Sequence, residues 1–242
     1  MAIWGKFFGA AIGFLLGRFI GALLGAYLGH RFIDQRRSAN PFFQTTFAVM
    51  GHVAKSNGRV TEQDIALASS LMSQIGLRGR AKEAAQRAYR QGKAADYPLD
   101  RELKRLNMAL RFRRDLARLF IEIQLQAALV DGVLDDHERA LMSRICAALG
   151  FSEADLERLI AMRHGERHSQ TASMTLEDAC RILGVNGDDS LPSIKRAYRK
   201  LMAQHHPDKL ASQGLPPEML SVAQQKSQDI QAAWERIRAS KA

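Results

Sequence analysis

The sequence predicts an all-α protein that opens with a transmembrane helix, and three observations carry that prediction. Residues 3–28 are almost wholly apolar. Beyond them, apolar residues recur three and four apart, and only 6 prolines interrupt 242 residues. Hydrophobic residues make up 46% of the chain but aromatics only 7%, which suits Ala- and Leu-rich helix packing better than a β-sandwich. The formal net charge of +10 admits three partners: nucleic acid, anionic lipid or an acidic protein surface. Composition does not choose among them. Cys146 and Cys180 fall in separate helical patterns without metal-ligand spacing, which points to a reduced compartment.

The first element is the membrane segment, residues 1–30. About 20 apolar residues span a bilayer core as a helix. Lys6 lies near one end, where it can snorkel. Arg18 lies near the middle at a cost of roughly 3 kcal/mol, which the Phe, Leu and Ile around it outweigh. A cleaved signal peptide would have a shorter apolar core and a small-residue cleavage site. This run ends instead in Tyr27-Leu28-Gly29-His30-Arg31. Arg31, Arg36 and Arg37 load the basic juxtamembrane segment 31–39, so the positive-inside rule places the rest of the chain in the cytoplasm. Glycine recurs at every fourth position: Gly5, Gly9, Gly13, Gly17, Gly21, Gly25 and Gly29. Such a GxxxG ladder lets two helix backbones approach closely, most simply in a homodimer.

The second element, residues 40–162, is helical throughout and internally repeated. A helix through Phe47–Ala54 ends at Asn57-Gly58, and one through Phe120–Leu125 ends at Asp131-Gly132. Setting Gly58 on Gly132 also brings Thr61 onto Asp135, Asp64 onto Glu138, Leu71 onto Ile145, Ile75 onto Leu149 and Gly76 onto Gly150. This is the mark of a duplicated helix–turn–helix unit. Between the copies lie a basic amphipathic stretch, Arg78–Lys93, and a long helix from about Asp100. The acids Asp131, Asp135 and Glu138 invite a metal assignment. Thr61 and Asp135, each with an acid three places later, are better read as N-caps in capping boxes, with Gly58 and Gly132 as C′ residues. No metal or other cofactor is assigned. The repeat resembles the TerB-like (tellurite-resistance) helical domain, with Asn57 where the paired turns of that family favour Asp.

Residues 163–174 have no apolar period and read as a linker. The third element, 175–242, starts with a short helix that Thr175 and Asp178 cap and Gly184 ends. A second helix starts at Ser190 or Ser193, with Ile194, Ala197 and Leu201 on one face and Lys195, Arg196, Arg199 and Lys200 on the rest. No acid lies between Ser193 and Gln204. Solvated helix faces normally mix both signs, so this face wants an acidic partner. The helix stops at His206-Pro207-Asp208, because Pro207 biases the residue before it away from the helical region. A long loop, 210–217, leads to a third helix from about Pro217 to Ala239, with Val222, Ile230, Ala233, Trp234 and Ile237 as its apolar face.

The run Ile194-Lys195-Arg196-Ala197-Tyr198-Arg199-Lys200-Leu201, followed by His206-Pro207-Asp208-Lys209, resembles a J domain. With the anchor and the TerB-like centre, the chain resembles the DjlA family of membrane-bound DnaJ-like co-chaperones. That resemblance implies a bacterial inner-membrane protein with a short periplasmic N-terminus. It also implies a DnaK-type chaperone as partner, engaged through Lys195, Tyr198, Arg199, Lys200, His206, Pro207 and Asp208. The Gly/Phe-rich linker and the Cys-x-x-Cys repeats of a full DnaJ are absent from the sequence.

A nucleic-acid binder is the rival reading, on Arg78, Arg80, Lys82, Arg87, Arg90, Lys93, Arg101, Lys104, Arg105, Arg111, Arg113 and Arg114. Aromatics for base stacking are sparse there, and attraction to anionic lipid fits the anchored chain better. No catalytic constellation or phosphate-binding glycine loop accompanies the 7 histidines, so no enzymatic activity is expected.

Overall fold

The computed structural model describes residues 41–241, apart from 57, 172 and 173. The anchor, its glycine ladder, the juxtamembrane arginines and Asn57 therefore lie outside the described residues. A compact unit begins at Thr45.

Seven helices build the middle region: α1 (Pro41–Lys55), α2 (Glu62–Gln74), α3 (Gly79–Gly92), α4 (Leu99–Ala109), α5 (Arg114–Ala128), α6 (Asp136–Ala148) and α7 (Glu153–Thr171). α5 is the central element. Leu116, Leu119, Phe120, Ile121, Ile123 and Leu125 are all at most 2% exposed, so it is buried nearly all round. α1 and α3 cross at backbone contact. A Cβ on Gly92 would collide with the Ala48 carbonyl, and one on Gly51 with the Tyr89 carbonyl.

The repeat is built as the alignment expects. Thr61 and Asp135 are N-caps of α2 and α6, each in a complete capping box. Thr61 N donates to Asp64 Oδ2 at 2.8 Å, and Glu138 N donates to Asp135 Oδ1 at 2.7 Å. Both helices end on left-handed glycines, Gly76 (φ 69°) and Gly150 (φ 76°). The following amides reach back over the last turn, Leu77 N to Met72 O and Phe151 N to Cys146 O, each at 2.9 Å, which closes a Schellman motif.

Four expectations need correction. Gly58 and Gly132 have positive φ but lie three residues past Lys55 and four past Ala128. They shape the turn rather than cap the helix before it. The long helix from Asp100 is two helices, interrupted at Leu110–Arg113, where buried Leu110 ends α4 and its carbonyl accepts from Arg113 N at 2.7 Å. The loop after Asp208 is partly helical. The linker is instead the last turns of α7, which continue to Thr171. Its polar pattern hides a packed face. Gly165 lets α7 approach α8, since a Cβ there would meet Asp178 O at 2.8 Å, and Glu166 is only 1% exposed.

The C-terminal part comprises α8 (Leu176–Leu183), α9 (Leu191–His205), α10 (Pro207–Ser212), a 3₁₀ turn (Pro217–Met219) and α11 (Leu220–Ser240). Thr175 and Asp178 form the capping box of α8, Gly184 ends it at φ 62°, and Ser190 caps α9. Ile182, Ile194, Leu210, Met219, Ala223, Ile230, Ala233 and Ile237 close the core. Tyr198 stacks on half-buried Trp234 with ring centroids 5.3 Å apart, which locks α9 against α11.

Candidate functional site

α9 turns Ile194 and Leu201 into the core, and that choice of face decides the rest. At 3.6 residues per turn, Lys195, Arg196, Arg199 and Lys200 are then left exposed. Among the described residues none of them has a carboxylate within ion-pair distance, so the face is positive without compensation. Tyr198 is half-buried at its edge, held by Trp234.

The tip is a helix-to-helix junction. His206 ends α9 in an extended conformation (φ −61°, ψ 124°) and is at once the N-cap of α10, its Nδ1 accepting from Asp208 N at 3.3 Å. Pro207 takes the first helical position, where a missing N–H costs nothing. Asp208 follows in the first turn, where the helix dipole favours its charge. The His206 and Asp208 side chains are exposed.

The residue before the tip behaves in the opposite way. His205 is 1% exposed. Burial lowers its pKa and outweighs the pull of Glu122, so the imidazole is neutral near pH 7. Its Nε2 lies 3.4 Å from Glu122 Oε1 on α5. Its carbonyl accepts from Ser227 Oγ of α11 at 2.9 Å, which ties the end of α9 to α11. Beside it, Lys226 Nζ lies 2.7 Å from Glu166 Oε1 and 2.8 Å from Oε2, and 3.8 Å from Glu122 Oε2. Burial works against both charges. Glu166 and Glu122 nonetheless hold the Lys226 ammonium above its usual pKa, and Lys226 with Arg163 holds the Glu166 carboxyl below its own. On the other side of the tip, Asp115 pairs with Lys209 Nζ at 2.8 Å and accepts from Gln213 Nε2 at 3.1 Å. The middle region thus supports the tip from beneath and leaves its outer surface open.

Comparison with known proteins agrees with this arrangement. Residues 1–40 match the family model of the co-chaperone DjlA transmembrane domain, 44–161 that of tellurite resistance protein TerB, and 178–241 that of the DnaJ domain. The chain is 44% identical to co-chaperone protein DjlA of Escherichia coli K12, and 43% identical to those of Yersinia pseudotuberculosis and Salmonella typhimurium. Each alignment covers 100% of this chain and 99% of the relative. The chain belongs to the DjlA co-chaperone family. No solved structure matches it.

In this DjlA-family chain the expected J-domain residues gather on one surface: Lys195, Arg199 and Lys200 along α9, Tyr198 at its edge, and His206, Pro207 and Asp208 at its end. The glycine ladder lies outside the described residues. No helix among the described residues is long and apolar enough to cross a membrane. Asp64 and Glu138 are engaged in capping boxes, and the described residues contain no cluster of His, Cys, Asp and Glu able to hold a metal. Sequence reasoning missed His205, Lys226, Glu166, Glu122 and Asp115, which hold the tip from inside. One signal was available: Glu122 is a lone acid in the apolar run Phe120-Ile121-Glu122-Ile123.

Proposed function

We propose that the chain is a regulatory co-chaperone that raises the ATPase rate of a DnaK-type chaperone from the cytoplasmic face of the inner membrane. One observation carries this reading: an uncompensated basic helix face runs directly into an exposed His206-Pro207-Asp208 tip. The basic face attracts an acidic surface, and the tip meets whatever lies at the end of that contact. The chain performs no chemistry on a substrate. Acceleration requires only that it bind the hydrolysis-competent arrangement of its partner more tightly than the resting one. Association is salt-dependent, because exposed charges steer it.

The test uses the full chain in nanodiscs with DnaK and ATP. Wild type raises turnover and Asp208→Asn returns it to the basal rate. Arg199→Glu raises the half-saturating concentration roughly tenfold at low ionic strength. Undiminished stimulation by Asp208→Asn would overturn the proposal.

The anchor supports a dimer through its glycine ladder, with Arg31, Arg36 and Arg37 setting a short periplasmic N-terminus and placing membrane lipid among the partners. Leucine at Gly13 and Gly17 is expected to abolish energy transfer between labelled copies in the bilayer. Unchanged transfer would remove the ladder from the account.

A further inference from the structure

The α4–α5 junction carries an arrangement that the J-domain function does not use. Between Leu103 and Arg114 the chain has Lys104, Arg105, Arg111, Arg113 and Arg114 and no carboxylate; all five cations are exposed. Neighbouring acids are already engaged. Glu102 faces Arg101 and Arg105, each at 3.4 Å, and Asp115 faces Lys209. Among the described residues no carboxylate pairs with Lys104, Arg111, Arg113 or Arg114.

Two large apolar side chains stand out from this basic ground, Met108 at 64% exposure and Phe112 at 89%. Phe112 is the more exposed of the two, with the Arg111 guanidinium beside its ring, 5.4 Å from the centroid. The junction is not loose. Leu103, Leu106 and Leu110 are buried, so the helix period that fixes Leu103 and Leu106 inside leaves Met108 outside, and the turn that Arg113 N closes on Leu110 O at 2.7 Å carries Phe112. Val133, 72% exposed, is flanked instead by Asp131, Asp135 and Asp136. Among the described residues, an exposed aromatic amid arginines without a carboxylate partner is therefore particular to this junction.

We infer that the Lys104–Arg114 knuckle is a second membrane contact, in which Phe112 and Met108 enter the headgroup region of an anionic bilayer and the cations meet lipid phosphates. A lipid surface fits better than a nucleic acid. Binding single strands takes successive aromatic platforms along a groove, whereas an interfacial contact needs an apolar wedge ringed by Lys and Arg. The inference rests on the anchored reading of residues 1–40, because tethering makes a weak second contact effective. Asp115 begins α5 and pairs with Lys209 three residues after His206, so a docked knuckle holds the J-domain tip close to the bilayer.

The test labels Phe112→Cys with an environment-sensitive fluorophore in the full chain. The native Cys146 and Cys180 are buried, and burial pushes the Cys146 thiol up to about 12, so labelling is selective. The chain is placed in nanodiscs of phosphatidylcholine alone or mixed with phosphatidylglycerol. The label is expected to shift to the blue and be quenched by brominated lipid in the anionic discs, while a label at Val133→Cys stays aqueous in both. Replacing Arg111 or Arg113 by Gln weakens docking roughly fivefold each, and high salt abolishes it. An aqueous label at 112 in both kinds of disc overturns the inference, as does a shift driven by an added oligonucleotide in neutral discs. Co-elution of chain and disc shows separately that the anchor is inserted, and DnaK stimulation is read on the same samples.

Discussion

His205 and His206 are adjacent in sequence and opposite in environment. Pro207 ends α9 between them and the rest of the chain, leaving His205 in the core and His206 in solvent. Burial depresses the folded-state pKa of His205 below its ordinary value of 6.5. The unfolded chain therefore binds a proton that the folded chain refuses, and stability rises with pH in that window. The contribution is complete above 6.5 and is lost as the pH falls through the lower folded value. The urea midpoint is expected to drop below pH 6.5 by more in wild type than in His205→Leu, and parallel curves would refute this. Lys226→Met strands Glu166, which is 1% exposed, and is expected to cost about 3–5 kcal/mol; a denaturation midpoint within error of wild type would remove the buried pair from the account. At the α1–α3 crossing, Gly92→Ala drives a methyl into the Ala48 carbonyl. A loss of about 1–3 kcal/mol is expected, read from the same denaturation curves.

α7 is the element on which sequence and structure part. Apolar periodicity and the internal repeat found α2, α6, α8, α9 and α11; cap chemistry placed the starts of α2, α6 and α8 at Thr61, Asp135 and Thr175 and left α9 between Ser190 and Ser193, of which Ser190 is the cap. These signals are local, so a single chain displays them. The end of α7 has none. Its face against the C-terminal helices is made by Gly165, which packs by lacking a side chain, and by Glu166, which packs by finding Lys226 60 residues away. No period in the segment 163–171 announces such partners, and the stretch reads as a linker. The same holds at the tip. His206 and Asp208 are legible from their motif, whereas Glu122 and Asp115 become tip residues only once α5 is placed beneath α10. Amide exchange separates the two readings: as a packed helix, residues 163–168 exchange far more slowly than the exposed turn 186–188. Exchange at the rate of a solvated chain throughout would restore the linker.

From Thr45 onward several contacts, some of them buried, join the middle region to the J domain. Glu122 and Asp115 reach the tip from α5, Glu166 reaches α11 from α7, and Ser221 Oγ donates to Gln74 O at 3.2 Å. The contacts of Glu122 with His205 and of Asp115 with Lys209 meet α9 and α10 from the α5 side. The outer basic face and the His206-Pro207-Asp208 turn stay open, so the support and the presentation use opposite surfaces of the same two helices. The proposed role of this open tip is to accelerate nucleotide cleavage in a partner. The most direct measurement mixes the full chain with DnaK preloaded with ATP and follows a single turnover. Wild type is expected to speed hydrolysis and His206→Gln to leave it at the unstimulated rate, the substitution costing no more stability than the exposed cap of α10, about 1 kcal/mol. Equal acceleration by the two proteins would contradict the account.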